Sequence, residues 1–390
     1  MSTEPSKDHD CQPNPELPQW AQDLYERLAN PLQYQPWSPP EDPDKPGLPY
    51  LPGFTAGIHR HCTAGTESRP HLSEERLKSM TQSELVATCP ATEPSTPAPS
   101  DTETAQININ APISIGAVRG PQIVACTVAL SRTSKHFQAA AKIYDPLYYN
   151  FKTDIGNYPR DCVYEADEDY RTEAAAYEHL RKHPGQSSAF APEYYDSWAF
   201  ALSITVDGKP QTRTIRLILM ELLDGTSIQA TRIQNNPVKS MGTDSFHYPE
   251  EYRIEVLARA IDGYVRQLRT GLVQGDFAGR NVMLIPKSHG DPRGERVCGL
   301  AMPRIVLIDY NIARIGNLSL EPGELPANPA EALWGEDLWH DFPGWVPNEW
   351  QDVKVQQDWL LRRFYSDDSR HLYRPFSEYF SEQKVNGRLD

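Results

Sequence analysis

Two short apolar runs flanked by acceptor side chains constrain this chain more than any other feature. The segment Gln274-Gly-Asp-Phe-Ala-Gly-Arg-Asn-Val-Met-Leu284 sets Asp276 five residues before Asn281 and then turns apolar. A second apolar run, Arg304-Ile-Val-Leu-Ile-Asp-Tyr-Asn311, ends in Asp309. Runs of this kind bounded by turn formers read as short buried strands. Asp276, Asn281 and Asp309 then lie at strand ends. Asn281 and Asp309 are hard oxygen donors suited to Mg²⁺, which takes few protein oxygens and completes its shell with phosphate and water. Phosphoryl transfer further asks for a carboxylate that orients the attacking hydroxyl, and Asp276 is the candidate. Asp and Asn also favour turns for their own sake. What sets this spacing apart is the amphipathic helix before it and the second apolar run that answers it.

Composition removes several classes. With 53 acidic against 38 basic residues the formal net charge is −15, so the basic field that nucleic acid or an acidic membrane surface needs is missing. The six cysteines are scattered without a C-x-x-C, which reads as a reducing, cytoplasmic setting rather than a disulfide framework. No apolar run is long enough to cross a membrane, and the N-terminus lacks the apolar core of a signal peptide. His59, His61 and Cys62 have no matching second ligand pair, so they do not read as a zinc site.

Of the 35 prolines, 17 fall in the first 105 residues. Residues 1–105 therefore read as a largely irregular, Pro-rich extension. It would hold one short helix around Trp20, Leu24 and Leu28, and a linker over Ala91–Thr104. Such an arm is a candidate for docking a partner domain, and the rest should fold without residues 1–104. Gln122–Leu130, Gln138–Tyr144 and Thr214–Met220 read as strands. Glu168–Lys182 reads as a helix opened by Asp167, Glu168 and Asp169. Glu251–Arg269 is a strongly amphipathic helix with Leu257, Ile261, Tyr264, Val265 and Leu268 on one face. The tail segment Phe342–Trp350 reads as packing for the C-terminal part.

Together these motifs resemble the protein-kinase-like superfamily, in particular its aminoglycoside and choline phosphotransferase members and the kinase-like proteins of filamentous fungi. Gln274-Gly-Asp276 with Asn281 resembles the catalytic loop, closest to the H-G-D-x-x-x-x-N form. Asp309-Tyr-Asn311 stands in the place of D-F-G, and Ala141-Lys142-Ile143 in that of the end of V-A-I-K. Glu173 holds the place of the helix glutamate, with Glu178 as its competitor. Leu219–Gly225 resembles the hinge that binds adenine through backbone groups, with Glu221 and Leu223 the hinge residues. Gly116 and Gly120 are the remnant of a glycine-rich phosphate loop.

The resemblance implies an α+β, bilobal kinase-like fold. Residues 106–222 would form a strand-rich lobe and 223–390 a helical one, with ATP and Mg²⁺ between them. It implies phosphotransfer to a hydroxyl of a protein or small molecule. Gln274 in place of His, Asn311 in place of Gly and the sparse glycine loop keep a second possibility open: a pseudokinase that serves as a nucleotide-binding or interaction module.

Overall fold

The computed structural model describes residues 37–61, 70–89, 103–133, 135–153, 158–185, 188–234, 242–287, 295–316 and 324–380. Its class is α+β. Strands β1 (Thr55–Arg60), β2 (Thr104–Ser114), β3 (Gln122–Leu130), β4 (His136–Tyr144), β5 (Tyr194–Val206) and β6 (Lys209–Met220) close into a barrel in the order β1-β2-β3-β4-β6-β5. Every neighbouring pair is antiparallel.

The first correction to the sequence reading lies in β1. Residues 1–105 were expected to stay outside the sheet, yet β1 closes the barrel between β2 and β5, with His59 opposite Ala199. The segment before it carries Tyr50, which is fully buried and donates from its hydroxyl to Asp145 Oδ2 at 2.6 Å. Arg213 donates to the same oxygen at 2.9 Å, so Asp145 is buried with its charge answered. Two short helices, α1 (Glu74–Lys78) and α2 (Gln82–Thr88), add Leu77, Leu85 and Val86 to the same core. A capping box between Thr81 and Glu84 opens α2. The prolines at 39, 40, 43, 46, 49 and 52 do keep the chain free of regular structure, but that chain lies on the barrel: Trp37 packs edge-on to Phe151, and Tyr148 donates to the Gly47 carbonyl at 3.0 Å. The helix expected around Trp20 and most of the Ala91–Thr104 linker lie outside the described residues.

Alternation along β4 sets up the site. Successive side chains point to opposite faces of a strand. Ala139, Ala141 and Ile143 accordingly fall in the barrel core, and Ala140 and Tyr144 in a second core. Lys142 shares the face of Ala140 and Tyr144. Helix α3 (Cys162–Lys182) covers that face with Tyr170, Glu173, Ala174 and Tyr177. It begins six residues before the expected start, at an N-cap made by Asp161. Asp167 is therefore inside the helix rather than at its end; it is tolerated there because Arg216 of β6 pairs with it at 2.7 Å.

The β5–β6 hairpin went unread. Its two-residue turn is Asp207-Gly208, both with positive φ (51° and 72°), as a type I′ turn requires. An Asp-Gly between two apolar runs was the available signal. Beyond it the second core gathers around α4 (Glu250–Arg269), whose Val256, Leu257, Ile261 and Val265 are buried. A small sheet joins β7 (Thr226–Ser227), β9 (Val282–Ile285) and β10 (Arg304–Leu307), while β8 (Leu272–Val273) pairs with β11 (Arg314–Ile315). Helix α5 (Val353–Phe364) and the buried Phe342, Trp345, Val346 and Trp350 complete this core. No described helix is long and apolar enough to cross a membrane.

A chain lacking residues 1–104 loses β1 and the Tyr50 anchor, so it should show no cooperative unfolding transition by calorimetry, where the sequence alone suggested an intact domain. In the full chain, Tyr50→Ala should cost about 3–5 kcal/mol in a denaturant titration, as buried aromatic truncations do.

Candidate active site

Lys142 joins three elements far apart in sequence. Its Nζ lies 2.5 Å from Glu173 Oε2 on α3 and 2.7 Å from Asp309 Oδ1 after β10. The Tyr144 hydroxyl donates to the same Glu173 oxygen at 2.8 Å. Lys142 and Glu173 are buried, whereas the Asp309 side chain is 39% exposed and open to a ligand. Burial alone would lower the Lys142 pKa; Glu173 and Asp309 outweigh it and hold the ammonium above its usual value. Burial pushes Glu173 upward despite Lys142, with Asp309 adding repulsion. The cluster thus has more carboxylate than one ammonium can neutralise. Glu178, the competing helix acid, pairs with Arg181 on the exposed side of α3.

The segment between β8 and β9 brings Asp276 and Asn281 together. Asn281 Nδ2 donates to Asp276 Oδ2 at 2.7 Å and to the Asp276 carbonyl at 3.0 Å, leaving the Asn281 side-chain oxygen facing no donor among the described residues. Arg280, missed by sequence reasoning, forks onto both carboxylate oxygens of Asp276. Gln274 is fully buried and donates to the Ile308 carbonyl at 2.5 Å. Gln274 thereby ties this loop to the one carrying Asp309. The Ile308 N–H also donates to the Asn281 carbonyl at 3.0 Å. Gly275 makes this approach possible: it has φ +88°, and a Cβ there would stand 2.6 Å from the Ile312 carbonyl oxygen. Asp309 itself is left-handed, with φ 65°, a costly conformation for a residue with a Cβ.

Gly116 and Gly120 do not form the open cradle expected of them. The Gly116 N–H donates to Gln122 Oε1 at 2.7 Å, and Gln122 Nε2 donates to the carbonyls of Gly116 and Gly120 at 3.0 and 2.7 Å. The Gly120 N–H goes to the Tyr148 carbonyl at 3.1 Å. Both N–H groups are therefore engaged within the protein, and the turn is braced by a buried amide instead of being free to close on phosphate. Glu221 uses its carboxylate on Arg304, in a two-pronged pair at 2.5 and 2.9 Å, and its N–H on the Glu193 carbonyl. Leu223 follows, half-buried, on the connection from β6. A cavity of about 340 Å³ lies between Tyr177, Arg181, Tyr194 and Arg304, and none of the candidate active-site residues lines it.

Asp169 is a further unread member of the cluster. It lies one helical turn before Glu173, accepts from the Tyr149 hydroxyl at 3.2 Å and from Asn311 Nδ2 at 3.3 Å. Burial, supported by the nearby Glu173 and Asp309, pushes its carboxyl up to about 7 against the pull of Lys142. In the sequence it was indistinguishable from an acidic residue at a helix start.

No protein-family model matches the chain, and no curated protein matches it. Among solved structures it is similar to the BubR1 kinase domain, at 15% identity and TM-score 0.31, covering 59% of this chain and 53% of that one. It is also similar to the Rio2 kinase of Chaetomium thermophilum in its ADP/Mg²⁺-phosphoaspartate complex. There the identity is 17% and the TM-score 0.34, covering 72% of this chain and 62% of that one. The chain thus spans less than two thirds of either structure. Likeness this slight fixes neither family nor function.

Asp169 carries a pH signature. Its folded-state pKa of about 7 lies above the ordinary carboxylate value of about 3.9, so its contribution to stability is complete at low pH and is lost as pH rises through 7. Asp169→Asn abolishes that titration. The melting temperature of this variant relative to the parent should therefore climb between about pH 4 and pH 7 and level off above that; a constant difference would mean that Asp169 is ionised throughout.

Proposed function

We propose that the protein is an ATP- and Mg²⁺-dependent phosphotransferase of kinase-like, bilobal build, acting on a hydroxyl acceptor. The observation that carries this is Lys142, held by a buried glutamate from one element and by a partly open aspartate from another. A buried cation in a carboxylate cluster is a costly arrangement that serves stability poorly, and it is the one a nucleotide phosphate would exploit.

The residues fit Mg²⁺. Among the described residues no group of three or more His, Cys, Asp or Glu side chains could hold a metal by itself. Asp309 and the Asn281 side-chain oxygen offer a small set of hard donors, which suits Mg²⁺ because it retains water and phosphate oxygens. When bound, Mg²⁺ supplies charge neutralisation on the phosphates. Lys142 would bind phosphate oxygen, releasing Asp309 from its present contact. Glu173, fixed by Tyr144, would keep the ammonium in place. Asp276 would accept a hydrogen bond from the acceptor hydroxyl and orient its lone pair toward the γ-phosphorus. Asn281 holds Asp276 in that position. The backbone of Glu221 and Leu223 would receive adenine, and the Glu221–Arg304 pair would stiffen that segment against the small sheet.

The alternative, a pseudokinase, also has specific support. Arg280 occupies both oxygens of Asp276, and the glycine turn has no free N–H at Gly116 or Gly120. In an active enzyme Arg280 would have to swing away or serve the substrate.

Transfer of labelled γ-phosphate from ATP with Mg²⁺ into the protein and small-molecule fractions of an extract tests the two. Asp276→Asn should reduce transfer by at least about 100-fold while leaving nucleotide affinity within about twofold. Lys142→Ala should weaken Mg²⁺–ATP binding. It should also cost about 3–5 kcal/mol of stability, because Glu173 is left buried without its partner. Binding without transfer in the parent would favour the pseudokinase. No nucleotide binding at all would sink the phosphotransferase.

A further inference from the structure

We propose that Asn311 and Asp169 form a latch that sets where Asp309 stands against Lys142, with Asp169 as a positioning residue. The residues from Asp309 to Asn311 are held at three consecutive points. Asp309 meets Lys142 at 2.7 Å. Tyr310 is fully buried, takes a hydrogen bond from Gln267 of α4 at 2.9 Å and packs edge-on to Tyr177 of α3. Asn311 donates to Asp169 Oδ1 at 3.3 Å. The second oxygen of Asp169 is occupied by the Tyr149 hydroxyl, and the neighbouring Tyr148 carbonyl receives the Gly120 N–H. One carboxylate thus ties the loop after β10 to the segment that braces the glycine turn, from a position one turn away from Glu173.

Chemistry explains why residue 311 is an amide. Asp309 is left-handed, a state that persists only when the surroundings hold it. A glycine at 311 would offer no side chain to do so. An aspartate would remove the amide donor and set a second acidic group against Asp169. What the sequence presents as a departure from D-F-G is, in this chain, a third anchor for the loop. The consequence for Mg²⁺–ATP affinity rests on the phosphotransferase reading; the latch itself does not.

The test therefore begins without nucleotide. The full chain, Asn311→Asp, Asp169→Asn and the double exchange are treated with acetic anhydride, and acetylation of Lys142 is followed by peptide mass spectrometry. Asn311→Asp should speed acetylation about fivefold, the factor that corresponds to losing one net hydrogen bond. The double exchange, which again sets one donor against one acceptor, should return the rate to within about twofold of the parent. An unchanged rate in Asn311→Asp, or an equal increase in the exchange, would overturn the latch. The unfolding midpoint serves as control: acceleration accompanied by a fall in midpoint reports unfolding, and Asn311→Gly, which removes the donor without adding charge, then decides. A second arm measures Mg²⁺–ATP affinity in the same proteins. Loss in Asn311→Asp and recovery in the exchange supports positioning; equal affinity in all four overturns it. A parent that binds no Mg²⁺–ATP defeats the phosphotransferase reading, while the acetylation result still decides the latch.

Discussion

The rest of this structure is arranged around one buried cation. Lys142 can sit on the inner side of α3 only because Glu173 and Asp309 reach it from two other elements. Breaking a buried pair by removing one partner leaves an uncompensated charge in a poorly solvating interior. That cost makes the relative placement of β4, α3 and the end of β10 a single problem. Other features follow from it: Tyr144 supplies Glu173 with a further donor, Tyr177 fills the space between α3 and Tyr310, and Gln274 holds the end of β10 against the Asp276 loop.

Part of this cluster was legible from spacing, and Lys142 with Glu173 only through the resemblance. Asp276, Asn281 and Asp309 stand out as acceptors at the ends of short apolar runs. Period-2 alternation in β4 separates Lys142 from Ala141 and Ile143. Between Glu173 and Glu178 the sequence left a choice, and burial decides it. Harder to read were contacts that depend on distant partners. Asp169 has the local appearance of a helix-start acid, and only the folded chain brings Tyr149 and Asn311 to it. Gln122 gives no hint in sequence that its amide closes the Gly116–Gly120 turn.

The fold was legible in a similarly divided way. The long α4 helix follows from periodicity and the α+β class from the resemblance, and the boundary at residue 105 does not survive. Residues 37–54 carry no regular structure, and proline density says nothing about whether such a segment packs. Thr55–Arg60 buries only Ile58 strongly, so it carries little hydrophobic pattern. Its place is set by backbone pairing with β2 and β5, which no local window contains. The β5–β6 hairpin is different in kind: its Asp207-Gly208 turn is a local signal, both residues standing at positive φ.

The closing strand has a consequence for how the chain reaches this state. β1 meets β2 first, and His59 pairs with Ala199, so the first strand of the barrel waits for its second partner far downstream. Contacts of such long range must be reached before they contribute anything to stability, and they slow folding. During synthesis the ribosome would release β1, with Ile58 and the nearby Tyr50 unsatisfied, well before β5 exists. The prolines around this stretch disfavour premature strand pairing, since each lacks the N–H that a ladder uses. What looks like a structureless arm in the sequence is, on this view, a strand whose second edge stays open until β5 has been made.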